Sequence, residues 1–167
     1  MNIRKAAETD FIEILDIYAY ARNFMSENGN PTQWAIWGYP EKELLEGDMK
    51  RGNLYVMEDG GSICGVFAFI IGADPTYDRI DGGQWLNDRA YGTIHRIAGN
   101  GTVKGLLQQC VDFGFTLIDN IRIDTHEDNK IMQHLIQKCG FTYCGIISSK
   151  DGSPRLAYQM AKENPGT

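Results

Sequence analysis

Positive charge is what this chain has least to spare. Its 16 lysines and arginines are outnumbered by 22 aspartates and glutamates, for a net charge of −6. No basic face is visible to meet a phosphate backbone, which argues against nucleic acid as a partner. Long apolar runs are missing too: no stretch approaches the ~18 residues of a membrane span. The opening MNIRKAAETD lacks the apolar region of a secretory signal. The expectation is a cytoplasmic protein with no membrane partner. The four cysteines, Cys64, Cys110, Cys139 and Cys144, have no metal-ligand spacing, and three of them sit inside apolar periodic segments. They read as small core residues of a reduced protein, with no metal site. No repeat, low-complexity tract or linker is found, so residues 1–167 are expected to form a single domain with a full core.

What is present is a run of short, alternating elements. Residues 2–6 are extended, and a helix follows in which Phe11, Ile14, Leu15, Tyr18, Arg22 and Met25 recur at helical spacing, with Asp10 and Glu13 as a capping pair. Asn28-Gly29-Asn30-Pro31 ends that helix, and an aromatic, aperiodic connection, 33–40, leads to a second helix over 41–50. Strands at 54–57 and 63–71 flank Glu58-Asp59-Gly60-Gly61, a hairpin signal. A polar loop, 74–88, precedes a third long strand, 91–98. A helix is expected from Thr102, a strand at 121–125, and a helix over 129–139 closed by Gly140 in the C′ position. Strands at 141–147 and 155–160 form a closing hairpin. The order β-α-α-β-β-β-α-β-α-β-β implies an α/β chain of mixed α+β character, a mixed sheet carrying helices. Its closing hairpin argues against a doubly wound dinucleotide fold.

The most informative segment is YGTIHRIAGNGTVKG, Tyr91–Gly105. An apolar, β-branched strand passes into Gly99-Asn100-Gly101 and then into a helical pattern. Glycines let the backbone approach a ligand closely, and the first N–H groups of a helix point outward at it, so the segment suits a phosphate or pyrophosphate. The competing explanation is a simple turn between strand and helix.

In this order of elements, several short motifs resemble the Gcn5-related N-acetyltransferase (GNAT) superfamily. They are Ile3-Arg4-Lys5-Ala6 followed by Asp10; Gly65-Val66-Phe67-Ala68 at the hairpin end; the strand–glycine–helix segment; and Asn129 followed by Gln137-Lys138-Cys139-Gly140-Phe141. The likeness covers nearly the whole chain. It implies the GNAT acyl-CoA N-acyltransferase fold, a mostly antiparallel mixed sheet with splayed central parallel strands and helices on both faces. It also implies acetyl-coenzyme A as cofactor, lying between strands that end near Ala98 and Thr125, with its pyrophosphate on the 99–105 amides. The cofactor set is then Ile97, Ala98, Gly99, Asn100, Gly101, Thr102, Val103, Lys104 and Gly105, with Asn129 at the pantetheine arm. Arg96-Ile97-Ala98-Gly99-Asn100-Gly101 fits the family string R/Q-x-x-G-x-G/A. However, the pattern puts Arg96 inside the strand, and the loop reads as a shortened one. Lys104 either adds charge near a phosphate or is a solvated helix lysine.

The resemblance implies acetyl transfer to a primary amine of a small molecule or peptide by direct attack in a ternary complex. A backbone N–H at Ile97 or Ala98 would polarise the thioester. The family's leaving-group tyrosine falls on Ile136, which cannot donate; Cys139, Tyr143, Tyr18 or water stand as replacements, and the step can also run without an acid. For the base, His126 is the first candidate and His95 the second. His126 lies in the polar run Asp124-Thr125-His126-Glu127-Asp128-Asn129 at a strand's carboxyl end, and imidazole titrates near pH ~6.5. Structural roles, a helix-start histidine and a sheet histidine, compete with both. Trp34, Trp37, Tyr39 and Trp85 are the candidate acceptor-binding aromatics, with packing as the alternative. A monomer or homodimer is expected. The competing functional class is a non-catalytic acyl-CoA binding or sensing module.

Overall fold

In a computed structural model the protein is described over residues 1–35 and 38–163. The strands are β1 (Asn2–Lys5), β2 (Leu54–Asp59), β3 (Ser62–Ile71), β4 (Gly92–Gly99), β5 (Asn120–Thr125), β6 (Thr142–Ser148) and β7 (Pro154–Ala161). The helices are α1 (Phe11–Glu27), α2 (Lys42–Lys50), α3 (Leu106–Gly114) and α4 (Lys130–Lys138), with short 3₁₀ turns at Glu8–Asp10 and Pro75–Tyr77. The element order is the one expected from the sequence. The sheet has seven strands in the order β1-β2-β3-β4-β5-β7-β6. Its pairings are antiparallel at β1·β2, β2·β3, β5·β7 and β6·β7, and parallel at β4·β5, where Gly92 faces Ile121 and Thr93 faces Arg122.

The chain forms two compact units, Met1–Phe69 with His95–Leu106, and Ile70–Ile94 with the chain from Leu107 onward. In the first, α1 buries Ile14, Ile17, Tyr18 and Ala21, an i, i+3, i+4, i+7 stripe. The stripe packs in one core with Trp34, Leu45, Leu54, Val56, Val66 and Ala98. The β2–β3 hairpin turns through Gly60 at φ 58° and Gly61 at φ 84°. Both central residues thus take the left-handed conformation that a two-residue hairpin with native twist requires, and glycine adopts it without a Cβ clash.

In the second unit the 74–91 segment folds inward. Tyr77 and Tyr91 join Ile147 and Ala157 in a core against which Ile80 and Trp85 pack. This loop is polar in composition only. Helix α4 is framed at both ends. The Asn129 side chain accepts from the Met132 amide at 3.1 Å, and at the other end Gly140 N–H donates to Gln137 O and Phe141 N–H to Ile136 O, with Gly140 at φ 99°. Those paired bonds are a Schellman closure, with glycine in the C′ position as the sequence indicates.

Two local expectations change. Helix α3 begins at Leu106 and not at Thr102, because Gly105 at φ 78° cannot continue a right-handed helix. The connection after β4 is therefore a six-residue loop, 100–105, longer than the shortened turn expected. Asp10 precedes α1 without capping it by its side chain. Its carboxylate instead accepts from Arg4 at 2.7 and 2.9 Å and from the Ala7 amide at 2.8 Å.

The Arg4 hydrogen bonds hold the Asp10 carboxyl below the usual carboxylate range, against the opposing pull of burial, with help from the Ala7 amide. A depressed folded-state pKa contributes stability that is present above the unfolded value of about 3.9 and is lost as pH falls through the folded value. Asp10→Asn should therefore be less stable than the parent at pH 7, and the two unfolding curves should converge as pH falls below about 3.9. Urea titrations across that range check this; a gap that persists unchanged in acid would remove the ion pair as its source.

Candidate active site

The glycine segment starts from a residue held in an uncommon conformation. Arg96, inside β4, has φ 54°, the left-handed region that side chains with a Cβ rarely adopt. Three groups hold it there. The buried Tyr18 hydroxyl donates to the Arg96 carbonyl at 2.7 Å. The guanidinium meets the Asp48 carboxylate at 2.7 Å through Nη2 and 3.0 Å through Nε, and Nη1 donates to the Tyr39 hydroxyl at 3.1 Å. Asp48 is 0% exposed and also faces Arg51 at 3.3 Å. The guanidinium that fits the family string by sequence is thus engaged in a buried ion pair on α2.

Beyond Arg96, Ala98 is buried in the first core and Ile97 is half-buried. Gly99 passes close to Leu106, since a Cβ there would stand 2.5 Å from Leu106 Cδ1. Asn100 organises the loop. Its amide donates to Cys64 O at 3.1 Å, its Nδ2 donates to Ile63 O at 3.3 Å, and its Oδ1 accepts from both the amide (3.1 Å) and the hydroxyl (2.6 Å) of Thr102. Gly101, at φ 80°, leaves no room for a Cβ against the Tyr20 hydroxyl. The amides of Asn100 and Thr102 are therefore engaged. Those of Gly101, Val103, Lys104 and Gly105 have no hydrogen-bond partner among the described residues. Gly101, Lys104 and Gly105 are exposed, and a Cβ at Gly105 would meet nothing within 4 Å. Successive unpaired N–H groups on an open, glycine-turned loop form a cradle suited to an anion.

In the second unit, β5 ends in the polar run read from the sequence. His126 is half-buried; its Nδ1 accepts from the Asp128 amide at 3.0 Å and lies 3.6 Å from the Asp128 carboxylate. With Nδ1 accepting, the neutral ring carries its proton on Nε2. Gln133 Nε2 braces the turn by donating to His126 O and Glu127 O. Asn129 caps α4, and His95 is half-buried on β4.

The aromatic residues separate by setting. Trp34 is 7% exposed, with ring centroids 5.9 Å from both Tyr18 and Tyr39, inside the first core. Tyr39 is half-buried, its hydroxyl on Arg96. Trp85 donates to Tyr77 O at 3.0 Å and stacks 4.0 Å from the Arg122 guanidinium. Trp37 lies outside the described residues. Among the proposed thiolate acids, Tyr18 has its proton committed to Arg96 O. Tyr143 is exposed and stands edge-on to Tyr158, and burial followed by the nearby Asp112 raises the Cys139 thiol. Ile136, at the usual tyrosine position, is fully buried. The Tyr18–Arg96–Asp48 knot and a carboxylate–phenol pair, Asp124 with Tyr77 at 2.8 Å, were not assigned by sequence reasoning. Asp48 carries no signal within its amphipathic helix. A tyrosine two residues after a proline in a polar segment was the only hint of Tyr77.

The family model described as the acetyltransferase (GNAT) family matches residues 14–141. The chain belongs to that family. A GNAT acetyltransferase from Streptococcus agalactiae 2603 is 34% identical over 98% of this chain and 96% of its own, with a TM-score of 0.87. A GNAT acetyltransferase from Listeria monocytogenes 4b F2365 is 23% identical, covering 96% and 94%, at 0.71. A Bacillus subtilis acetyltransferase in complex with CoA is 17% identical, covering 97% and 99%, at 0.63. The latter two share the GNAT fold alone. Comparison with curated proteins found no match. Among the described residues of this GNAT chain, no helix is long and apolar enough to cross a membrane.

Removing the Asp48 carboxylate would leave a buried guanidinium without its counter-charge. Asp48→Ala should cost about 3–5 kcal/mol of folding free energy, read by urea unfolding. A loss below about 1 kcal/mol, the value of an exposed pair, would show that Arg96 is held by other groups.

Proposed function

We propose that this chain is an acetyl-coenzyme A-dependent N-acetyltransferase acting on a primary amine of a small molecule or peptide, by direct attack in a ternary complex. The observation that carries this is the 100–105 loop of a GNAT-family chain, with its unpaired Gly101, Val103, Lys104 and Gly105 amides. Bound acetyl-coenzyme A supplies an acetyl thioester for transfer and a pyrophosphate for anchoring. The four amides fit the pyrophosphate, and the exposed Lys104 adds a positive charge on the same loop. The Bacillus subtilis GNAT structure in complex with CoA supports the cofactor class. Asn129, at the start of α4, adds a contact to the pantetheine arm.

The transfer forms a C–N bond and breaks a C–S bond, so the chain must remove one amine proton and offer a donor to the carbonyl oxygen. The donor is the amide of Ile97 or Ala98. Both follow Arg96, whose backbone is held by Tyr18 and whose side chain is held by Asp48 and Tyr39. His126 presents Nε2–H, because its Nδ1 is engaged by the Asp128 amide, and therefore serves as a hydrogen-bond donor in this tautomer. The proton-accepting role passes to His95 or to water. Trp34 and Tyr39, packed in the first core, support acceptor binding by shaping its wall.

The test is free-thiol release from acetyl-coenzyme A with polyamines, aminoglycosides, amino acids and peptides as acceptors. Acceptor-dependent release supports the transferase. Saturable cofactor binding without release from any acceptor would favour the sensing module, which the buried Ile136 at the tyrosine position suits. Gly105→Val, at the open end of the cradle, should weaken acetyl-coenzyme A binding at least tenfold, about 1.4 kcal/mol, by calorimetry. A folded variant with unchanged affinity would contradict the pyrophosphate assignment. His95→Ala should lower kcat by roughly 10²–10⁴. Retention of the parent kcat would leave water as the proton acceptor.

A further inference from the structure

The second unit holds a carboxylate with no part in binding the cofactor or moving the amine proton. Asp124 is the most exposed position of a β5 otherwise buried along its length. It lies near the carboxyl end of a strand that pairs in parallel with β4, where sheets of this kind place ligands. Its Oδ1 accepts from the Tyr77 hydroxyl at 2.8 Å. Tyr77 is 2% exposed and wedged between Trp85, 5.1 Å away by ring centroid, and Tyr91, 6.1 Å away. Burial, and then the Asp124 charge, push the Tyr77 phenol well above its ordinary range. It therefore stays protonated and acts as a fixed donor.

The other carboxylate oxygen, Oδ2, has no partner among the described residues, and Asp124 forms no ion pair there. A cation is close in sequence on the same side of β5, since Arg122 and Asp124 are two residues apart on one strand. Yet that guanidinium is held elsewhere. It is 5% exposed, lies 4.0 Å from both the Trp85 and Tyr91 rings, and donates to Asn87 O at 3.0 Å. Rings and a loop carbonyl thus neutralise the available arginine, while the neighbouring carboxylate is aimed by a buried phenol. That arrangement leaves a half-buried carboxylate with one oxygen fixed by a phenol and the other unpartnered among the described residues. Its Oδ2 reaches solvent, so that oxygen is open to a ligand entering from there.

We propose that Asp124, oriented by Tyr77, is the acceptor-binding carboxylate, and that the acceptor class is a cationic alkylamine whose second, non-reacting ammonium it holds by a charge-assisted hydrogen bond, leaving the other amine nitrogen to lose its proton and attack the thioester. The inference rests on the transferase reading and narrows it from amines in general to cationic ones. Asp124 binds the acceptor, and Tyr77 is a positioning residue that acts through it. The Asp124 charge repels an anionic acceptor, and Arg122, engaged by the two rings and Asn87 O, offers such an acceptor little counter-charge at the same spot.

The experiment compares 1,4-diaminobutane, which is cationic at neutral pH, with aniline, which is not. The readout is the ratio of kcat/KM for the two acceptors, with free-thiol release at saturating acetyl-coenzyme A. Asp124→Asn, isosteric and still able to accept from Tyr77, should lower the diamine-to-aniline ratio at least tenfold, chiefly through the diamine KM. Acetyl-coenzyme A affinity by calorimetry should stay within twofold. Tyr77→Phe, which leaves the carboxylate charged but unaimed, should lower the ratio by a smaller factor in the same direction. An active parent whose ratio is unchanged in Asp124→Asn overturns the proposal. So does a variant that loses cofactor affinity and thermal stability together, which would make the carboxylate structural. A parent that binds acetyl-coenzyme A but releases no thiol with either amine, or with the wider panel, overturns the transferase reading itself.

Discussion

The first unit depends on one buried charge pair. Asp48 has no exposed surface, and an unpaired carboxylate in that position would be prohibitive. Arg96 answers it, and to do so a strand residue with a Cβ adopts φ 54°. Such a conformation costs on the order of 1–3 kcal/mol and persists only when its surroundings over-determine it. Here they do. Tyr18 holds the carbonyl, Tyr39 shares the guanidinium, and Trp34 packs between the two tyrosine rings. One left-handed residue also interrupts the two-residue alternation of a strand, and β4 runs buried through Ile94, half-buried through Ile97, and buried again at Ala98.

That interruption sets the course of the chain beyond it. Ala98 returns to the core, Gly99 passes under Leu106, and Asn100 ties the chain back to Cys64 and Ile63 while closing a turn on Thr102. The loop is rigid at its base through these bonds and open at its tip, where a Cβ on Gly105 would meet no neighbour. A loop built this way pre-orders its amide donors, which lowers the conformational entropy lost in the proposed binding of the cofactor. The second unit uses a parallel device. A buried phenol aims Asp124, a backbone amide sets the His126 tautomer, and Asn129 fixes the start of α4. In each case the functional candidate is oriented by a neighbour whose own position is settled by packing or by main-chain geometry.

Much of the fold was legible because its causes are local. The Gly60-Gly61 turn and the Gly140 closure are each decided by a few adjacent residues, and the structure places both where the sequence does. On α1 the buried face shares Ile14 and Tyr18 with the sequence pattern but adds Ile17 and Ala21, with Phe11, Leu15 and Met25 only partly buried beside it. The family was legible from short motifs in a fixed order, and the match over 14–141 agrees. What escaped was decided at a distance. Nothing near Arg96 announces a left-handed residue, because its partner Asp48 is on another helix. The apolar spacing of Val103, Leu106, Leu107, Cys110 and Val111 runs on through Thr102–Lys104, so periodicity alone extends α3 too far. Only the conformation of Gly105 stops it. The 74–88 segment is polar on average, and averages conceal two aromatic side chains that fold under it. Asp10 reads as a cap because Asp before a helix usually is one, yet Arg4 competes for the same carboxylate and wins.

The central claim is that the loop beyond Arg96 is the proposed cofactor cradle. Its most direct test is a titration of isotope-labelled protein with coenzyme A, monitored by backbone amide shifts. The account predicts saturable shifts that are largest at Gly101, Val103, Lys104 and Gly105, with smaller ones at the engaged amides of Asn100 and Thr102. Saturable binding that leaves those four amides unmoved while shifting others would contradict it.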